Sequence, residues 1–144
     1  MTERVHFEQW VPVALPRVFR FFSDPRNLPR IMPPRLGAEI VVSVRLLPPL
    51  PLRSEWVARI VEYERDHHFA DVQAMGPFRH WAHRHEFERR ELQGREGTVV
   101  RDLLEYDVGL GALGTVAGRL FVGPEMARTF AHRQKTLEAL LASP

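Results

Sequence analysis

Between Gly76 and Phe87 the chain reads GPFRHWAHRHEF, a turn followed by a strand. With the two-residue period of a strand, Trp81, His83, His85 and Phe87 share one face, and His80, Ala82, Arg84 and Glu86 share the other. The first face carries two imidazoles between large apolar groups. Flanking segments supply carboxylates at matching positions. Phe69, Asp71, Gln73 and Met75 share a face of 68–75, and Thr98, Val100, Asp102, Leu104 and Tyr106 share a face of 98–108. Paired as neighbours, the three strands place apolar rings around a polar cluster of Asp71, Gln73, His83, His85 and Asp102.

That cluster suits three roles. Pockets for small molecules are mostly apolar, with a few convergent polar groups that orient the ligand. On this reading Phe69, Asp71, Gln73, Trp81, His83, His85, Phe87, Asp102 and Tyr106 are the ligand-binding residues. Imidazole titrates near neutrality and a carboxylate fixes its tautomer, so His83 or His85 as base with Asp102 as orienting partner can move protons. The third role is a structural network in which buried His and Asp groups satisfy one another. His83 and His85 with Asp71 or Asp102 also form a plausible ligand set for a first-row metal. The i, i+2 spacing is far less specific than HExxH, and no metal is assigned. There is no P-loop, GxGxxG, HExxH or GxSxG, so no cofactor is implied. His67 and His68 sit at a turn and read as solvated, His132 as exposed or at a boundary, and His6 and His80 as outward-facing.

The elements that position these residues are legible in outline. Thr2 to Val13 reads as a first strand. Pro16 suits a first helical turn, and Val18, Phe19, Phe21 and Phe22 continue at helical spacing, giving a helix over 15–23. Ser23-Asp24-Pro25 restarts a second short helix over 25–31, which stops before Pro33-Pro34. Phe19, Phe21, Phe22, Leu28, Ile31 and Met32 read as core, with gating of a cavity mouth as the alternative. Five strands follow: 36–47, 52–63, 68–75, 78–90 and 98–108. The Pro48–Pro51 run is a connection flanked by Leu46, Leu47, Leu50 and Leu52. Ser54, Trp56, Ala58 and Ile60 share one face of the second strand. Gln93 to Gly97 has hairpin chemistry.

Gly109 to Gly123 holds five of the nine glycines and reads as a mobile loop or the start of a helix. As a lid it would hinge at Gly109, Gly111 and Gly114 and be lined by Leu110, Leu113, Leu120 and Phe121. Pro124 then opens a helix over 124–142. Its apolar stripe is Met126 or Ala127, Phe130, Leu137, Leu140 and Leu141, with Arg133 and Lys135 on the more polar part.

A chain of 144 residues fits one domain spanning 1–144. The absence of cysteine excludes disulfides, thiolate catalysis and Cys-based zinc sites. The formal charge is +2, and Lys135 is the sole lysine. The arginines are spread along the chain and alternate with Asp and Glu, as in Glu88-Arg89-Arg90-Glu91, which argues against nucleic acid as a partner. No apolar run approaches the roughly 18–20 residues of a membrane span. MTERVHFEQW lacks the apolar core of a signal peptide. These features predict a cytoplasmic protein without stable membrane insertion, monomeric or homodimeric through an exposed edge strand.

The order of elements resembles the START-like, or SRPBCC, helix-grip superfamily over essentially the whole chain. So do the segments VFRFFSDPRNLPRIMPP, FADVQAMGPFRHWAHRHEFE and VVRDLLEY, which are similar to bacterial members of the polyketide cyclase/dehydrase type. The resemblance implies an α+β fold in which a curved antiparallel sheet wraps a long C-terminal helix, with a cavity between them. It also implies a hydrophobic or amphipathic small-molecule ligand, or cyclase/dehydratase chemistry on an aromatic or polyketide-like substrate. Fold alone does not choose between them.

Overall fold

The computed structural model describes residues 1–27, 30, 43–45 and 53–142. The strands are β1 (Glu3–Val11), β2 (Ser43–Arg45), β3 (Arg53–Glu55), β4 (Val57–Glu64), β5 (His68–Met75), β6 (His80–Leu92) and β7 (Arg95–Asp107). The helices are α1 (Leu15–Ser23), α2 (Gly111–Ala117) and α3 (Gly123–Ala142). A 3-10 turn (Pro25–Asn27) follows α1, and a π-helical stretch (Gly118–Val122) joins α2 to α3.

β1, β7, β6, β5 and β4 form one antiparallel sheet in that order, and β2 pairs with β3 in a separate ribbon. β6 and β7 are joined by Gln93-Gly94, between the paired residues Leu92 and Arg95. Both loop residues have positive φ, 52° and 72°, as a type I′ hairpin turn requires. This turn fixes the register of the longest pair and with it which side chains face inward.

α1 begins at a proline-tolerant position and buries Leu15, Val18 and Phe19. Asp24 ends it in extended conformation, and Asp24 Oδ1 accepts the Arg26 N–H at 3.0 Å. α3 lies across the sheet on a stripe of Met126, Phe130, Arg133, Leu137 and Leu141, all buried. Phe130 stacks on Phe7 of β1 at 4.1 Å with ring planes 2° apart. Gln9 Nε2 donates to the Gln134 carbonyl at 2.8 Å, pinning β1 to α3.

Two apolar clusters fill the interface. One gathers Val11, Val18, Phe19, Phe69, Phe87, Val100, Leu137 and Leu141, and the other Leu104, Tyr106, Met126 and Phe130. This is the α+β helix-grip architecture anticipated above. The first strand, the helix over 15–23, the three strands of the cluster and the C-terminal helix match the sequence reading to within a few residues.

Several elements differ. The strand over 52–63 is two strands, β3 and β4, interrupted at Trp56 and belonging to different sheets. β4 carries register shifts between Val57 and Ala58 and between Ile60 and Glu62; Ala58 and Ile60 still share a face, opposite Gln73 and Asp71, and Ile60 is 55% exposed. The five-stranded meander is therefore β4 to β7 closed by β1. Of the helix over 25–31, Pro25–Asn27 is a 3-10 turn, and residues 28, 29 and 31 lie outside the described residues. So do Met32, most of the strand over 36–47, the proline-rich connection and Leu46, Leu47, Leu50 and Leu52.

The glycine-rich segment resolves toward helix, not loop. Gly109, Leu110 and Gly111 take positive φ, and α2 follows at once. Asp107 Oδ1 accepts the Gly109 N–H at 2.8 Å and fastens this reversal. A side chain at Gly114 would collide with the Gly109 carbonyl, so glycine is required there for the close backbone approach. Leu110, Leu113, Leu120 and Phe121 are between 62% and 82% exposed, so they line no interior surface.

Candidate functional site

Between the two apolar clusters lies a polar layer. Along β6 it falls between Trp81 and Phe87, along β7 between Val100 and Leu104, and along α3 between Phe130 and Leu137. Strand register brings it together. Asp71 lies opposite His83 across the β5–β6 pair, and Asp102 lies opposite His85 across the β6–β7 pair. The inward alternation of all three strands does the rest.

Asp102 Oδ1 is the centre. It lies 2.8 Å from His83 Nε2, 3.0 Å from His85 Nδ1 and 3.3 Å from Arg133 Nη2. The contacts to His83 and Arg133 are hydrogen bonds. His85 Nδ1 is close but out of line, and it is a buried polar atom with no hydrogen-bond partner. On the far side of the same ring, His85 Nε2 is 3.6 Å from Asp71 Oδ2. His83, His85, Asp102 and Arg133 are all buried, between 6% and 8% exposed.

Aromatic rings wall this layer. The imidazoles of His83 and His85 are 3.8 Å apart, and His85 stacks on Phe69 at 4.3 Å. Phe130 meets His83 edge-on at 5.9 Å. The Arg133 guanidinium lies over Phe22 at 5.1 Å and over Phe130 at 4.9 Å. Cation–π contact of this kind partly replaces the water that burial removes.

The electrostatics separate the two histidines. Burial, reinforced by neighbouring His85, lowers His83 to about 4, so it is neutral at pH 7. Burial also works against charge on His85, but Asp102 and Asp71 outweigh it and raise its pKa. Burial opposes ionisation of Asp102 as well. Arg133 first, then His83 and His85, overcome it and hold the carboxyl well below its ordinary range. A neutral imidazole beside one that favours its proton is an arrangement able to take and give protons in a water-poor setting. Burial raises the Tyr106 hydroxyl.

Of the residues singled out from sequence, Asp71, His83, His85 and Asp102 converge. Phe69 and Phe87 belong to the first apolar cluster; Tyr106 belongs to the second, with Trp81 packed against it. Gln73 stands apart. Its amide donates to the Phe78 carbonyl at 2.7 Å and accepts the Phe78 N–H at 3.2 Å, bracing the β5–β6 turn. His6, His67 and His80 are exposed, and His68 faces Glu62 and Glu64 at 3.4 and 3.7 Å.

The sequence reading puts Arg133 on the polar part of α3. It is instead buried against Asp102, because it continues the stripe three residues after Phe130 and four before Leu137. That spacing is present in the sequence. A charged residue at an inward helical position is the signal that identifies it. A pocket of about 370 Å³ lies beside the start of α1, lined by Leu15, Pro16, Asp66, His67, Phe87, Glu88 and Arg89. It includes no member of the His–Asp cluster.

No curated protein matches the chain. Among solved structures, the Zhui aromatase/cyclase from Streptomyces sp. R1128 superposes with a TM-score of 0.74 at 13% identity, covering 99% of this chain and 94% of that one. TTHA0849 from Thermus thermophilus gives 0.73 at 19% identity, over 99% and 100% of the two chains. Norcoclaurine synthase from Thalictrum flavum gives 0.65 at 15% identity, over 100% and 88%. At these identities the likeness shows the fold. The family model described as "Polyketide cyclase / dehydrase and lipid transport" matches residues 11–135, and the chain belongs to that family.

Proposed function

We propose that the protein binds a hydrophobic or amphipathic small molecule between the sheet and α3. Asp71, His83, His85 and Asp102 would orient a carbonyl, hydroxyl or carboxylate of that molecule. Phe69, Trp81, Phe87 and Tyr106 would supply apolar wall, and Arg133 would hold Asp102 in place. The observation that carries this reading is the buried polar layer between two apolar clusters, with His85 Nδ1 lacking a partner there. Buried polar atoms are nearly always paired in a purely structural network. The family's description covers both lipid transport and cyclase chemistry. Norcoclaurine synthase, on the same fold, has been solved with dopamine and hydroxybenzaldehyde.

The test is native mass spectrometry of the purified protein, then denaturing extraction of what it carries. A co-purifying small molecule that is lost from a His83→Ala/His85→Ala variant is the expected result. A bare protein mass, unchanged after incubation with hydrophobic and aromatic carboxylates, would overturn the reading.

A second reading is cyclase or dehydratase chemistry, favoured by the opposed shifts of His83 and His85. On it, neutral His83 is the base and Asp102 its orienting partner. It predicts turnover of an aromatic or polyketide-like substrate that disappears in His83→Ala while circular dichroism stays unchanged. Turnover that survives the substitution would exclude His83 as base.

A further inference from the structure

We infer that Asp71, His83 and His85 form a binding site for one first-row divalent cation of the zinc class, with a coordination position left open. One ring nitrogen of each histidine and one Asp71 oxygen all lie within 4.8 Å of one another. His85 Nε2 and Asp71 Oδ2 are 3.6 Å apart, too far for a good hydrogen bond. Two ligands on a tetrahedral ion with bonds of roughly 2.0–2.2 Å are separated by roughly 3.5 Å, so this gap is of the size that an ion bridges.

The surroundings fit as well. Histidines that ligate a metal have their other ring nitrogen held by a carboxylate or carbonyl, which fixes the ring and its tautomer. Asp102 Oδ1 is hydrogen-bonded to His83 Nε2 at 2.8 Å and lies 3.0 Å from His85 Nδ1, the ring nitrogen turned away from Asp71. Arg133 in turn faces Asp102 at 3.3 Å, which keeps that carboxylate in the outer layer and leaves Asp71 as the anionic ligand.

Two nitrogens and one oxygen suit zinc, cobalt or ferrous iron, and not calcium or magnesium, which take oxygen ligands. Three protein ligands leave room for water or a donor atom of a bound molecule. The inference shares side chains with the ligand-binding reading but does not rest on it, since extraction reports the organic molecule and metal titration reports the ion.

The experiment uses the tag-free full chain, stripped with chelator and titrated with Co²⁺. Visible d–d absorption should saturate at one equivalent and be abolished by Zn²⁺. Asp71→Asn, a change on a half-buried side chain, should weaken uptake at least about tenfold. His85→Ala should abolish uptake, with circular dichroism reporting the fold of both variants. His67→Ala and His80→Ala, at exposed histidines, should leave it unchanged. Absence of saturable uptake, full uptake in Asp71→Asn, or loss in either control would overturn the site.

Discussion

Asp102 and Arg133 make the cost of an isolated buried charge measurable. Each is buried, and they face one another at 3.3 Å. Removing Asp102 takes the carboxylate from a buried guanidinium, a change that costs about 3–5 kcal/mol where such pairs have been broken, whereas removing Arg133 leaves Asp102 its His83 hydrogen bond. Asp102→Asn should lower the unfolding free energy from urea titration by that order, and Arg133→Met by less. The double variant should recover part of the loss, because neither charge then remains alone. Single losses that simply add would show that the two groups do not act as a pair. Exposed pairs give the contrast: Arg4 with Glu105 should be worth under about 1 kcal/mol by the same measurement. At this scale the sequence is informative on β-strands and weak on α3. His83, His85 and Asp102 are found by two-residue alternation. Arg133 is hidden because arginine on a helix usually lies outside, and its inward position shows only once Phe130 and Leu137 are taken as neighbours.

The β6–β7 hairpin is the element on which the site is built, and two tests address how it is held. Gly97 of β7 lies directly beneath the Trp10 indole, whose Nε1 donates to the Arg90 carbonyl at 2.9 Å. A methyl group at Gly97 would enter the indole ring, so Gly97→Ala should destabilise by about 1–3 kcal/mol, the range for overpacking. Chemical denaturation checks it, and pairing the change with Trp10→Leu should relieve most of it. At the other end of β7, Asp107 fastens the junction with α2. Its carboxyl is held below the ordinary range by the Gly109 N–H and by the N-terminus, which lies 3.5 Å away. A depressed carboxylate contributes stability above its unfolded pKa and loses it as pH falls through the folded value. Asp107→Asn should therefore flatten the acid limb of the stability curve while changing little below it, as thermal melts across pH would show. Element boundaries are legible wherever local chemistry sets them. Pro16, Asp24 and Gln93-Gly94 mark true ends. The division of 52–63 is not legible, since β3 and β4 are separated by which strands they pair with, and pairing is a long-range property.

For the molecule as a whole, the order of elements carries the architecture, because a strand, a helix, a meander and a long terminal helix leave few ways to bury every apolar face. What the order does not carry is whether the interior holds a guest. Among the described residues, no helix is long and apolar enough to cross a membrane. A bound small molecule would act on the whole fold by mass action. Saturation at about a hundred times Kd should raise stability by about 2.7 kcal/mol. A melting temperature that rises with added ligand in the native chain and stays flat in His83→Ala/His85→Ala would tie the guest to the polar layer.

The two-residue turn at Gln93-Gly94 also bears on the order of assembly. It closes a hairpin containing His83, His85 and Asp102, whereas Phe22 and Arg133 arrive from distant parts of the chain. Short loops close quickly and distant contacts slowly. The hairpin should form with its imidazoles and carboxylate still hydrated, and docking of α3 should be the later step that strips their water. Gly94→Ala, at φ 72°, should then slow folding and leave unfolding nearly unchanged. Arg133→Met should do the reverse. Stopped-flow kinetics would separate them, and native-state hydrogen exchange should show α3 opening before the β6–β7 ladder does.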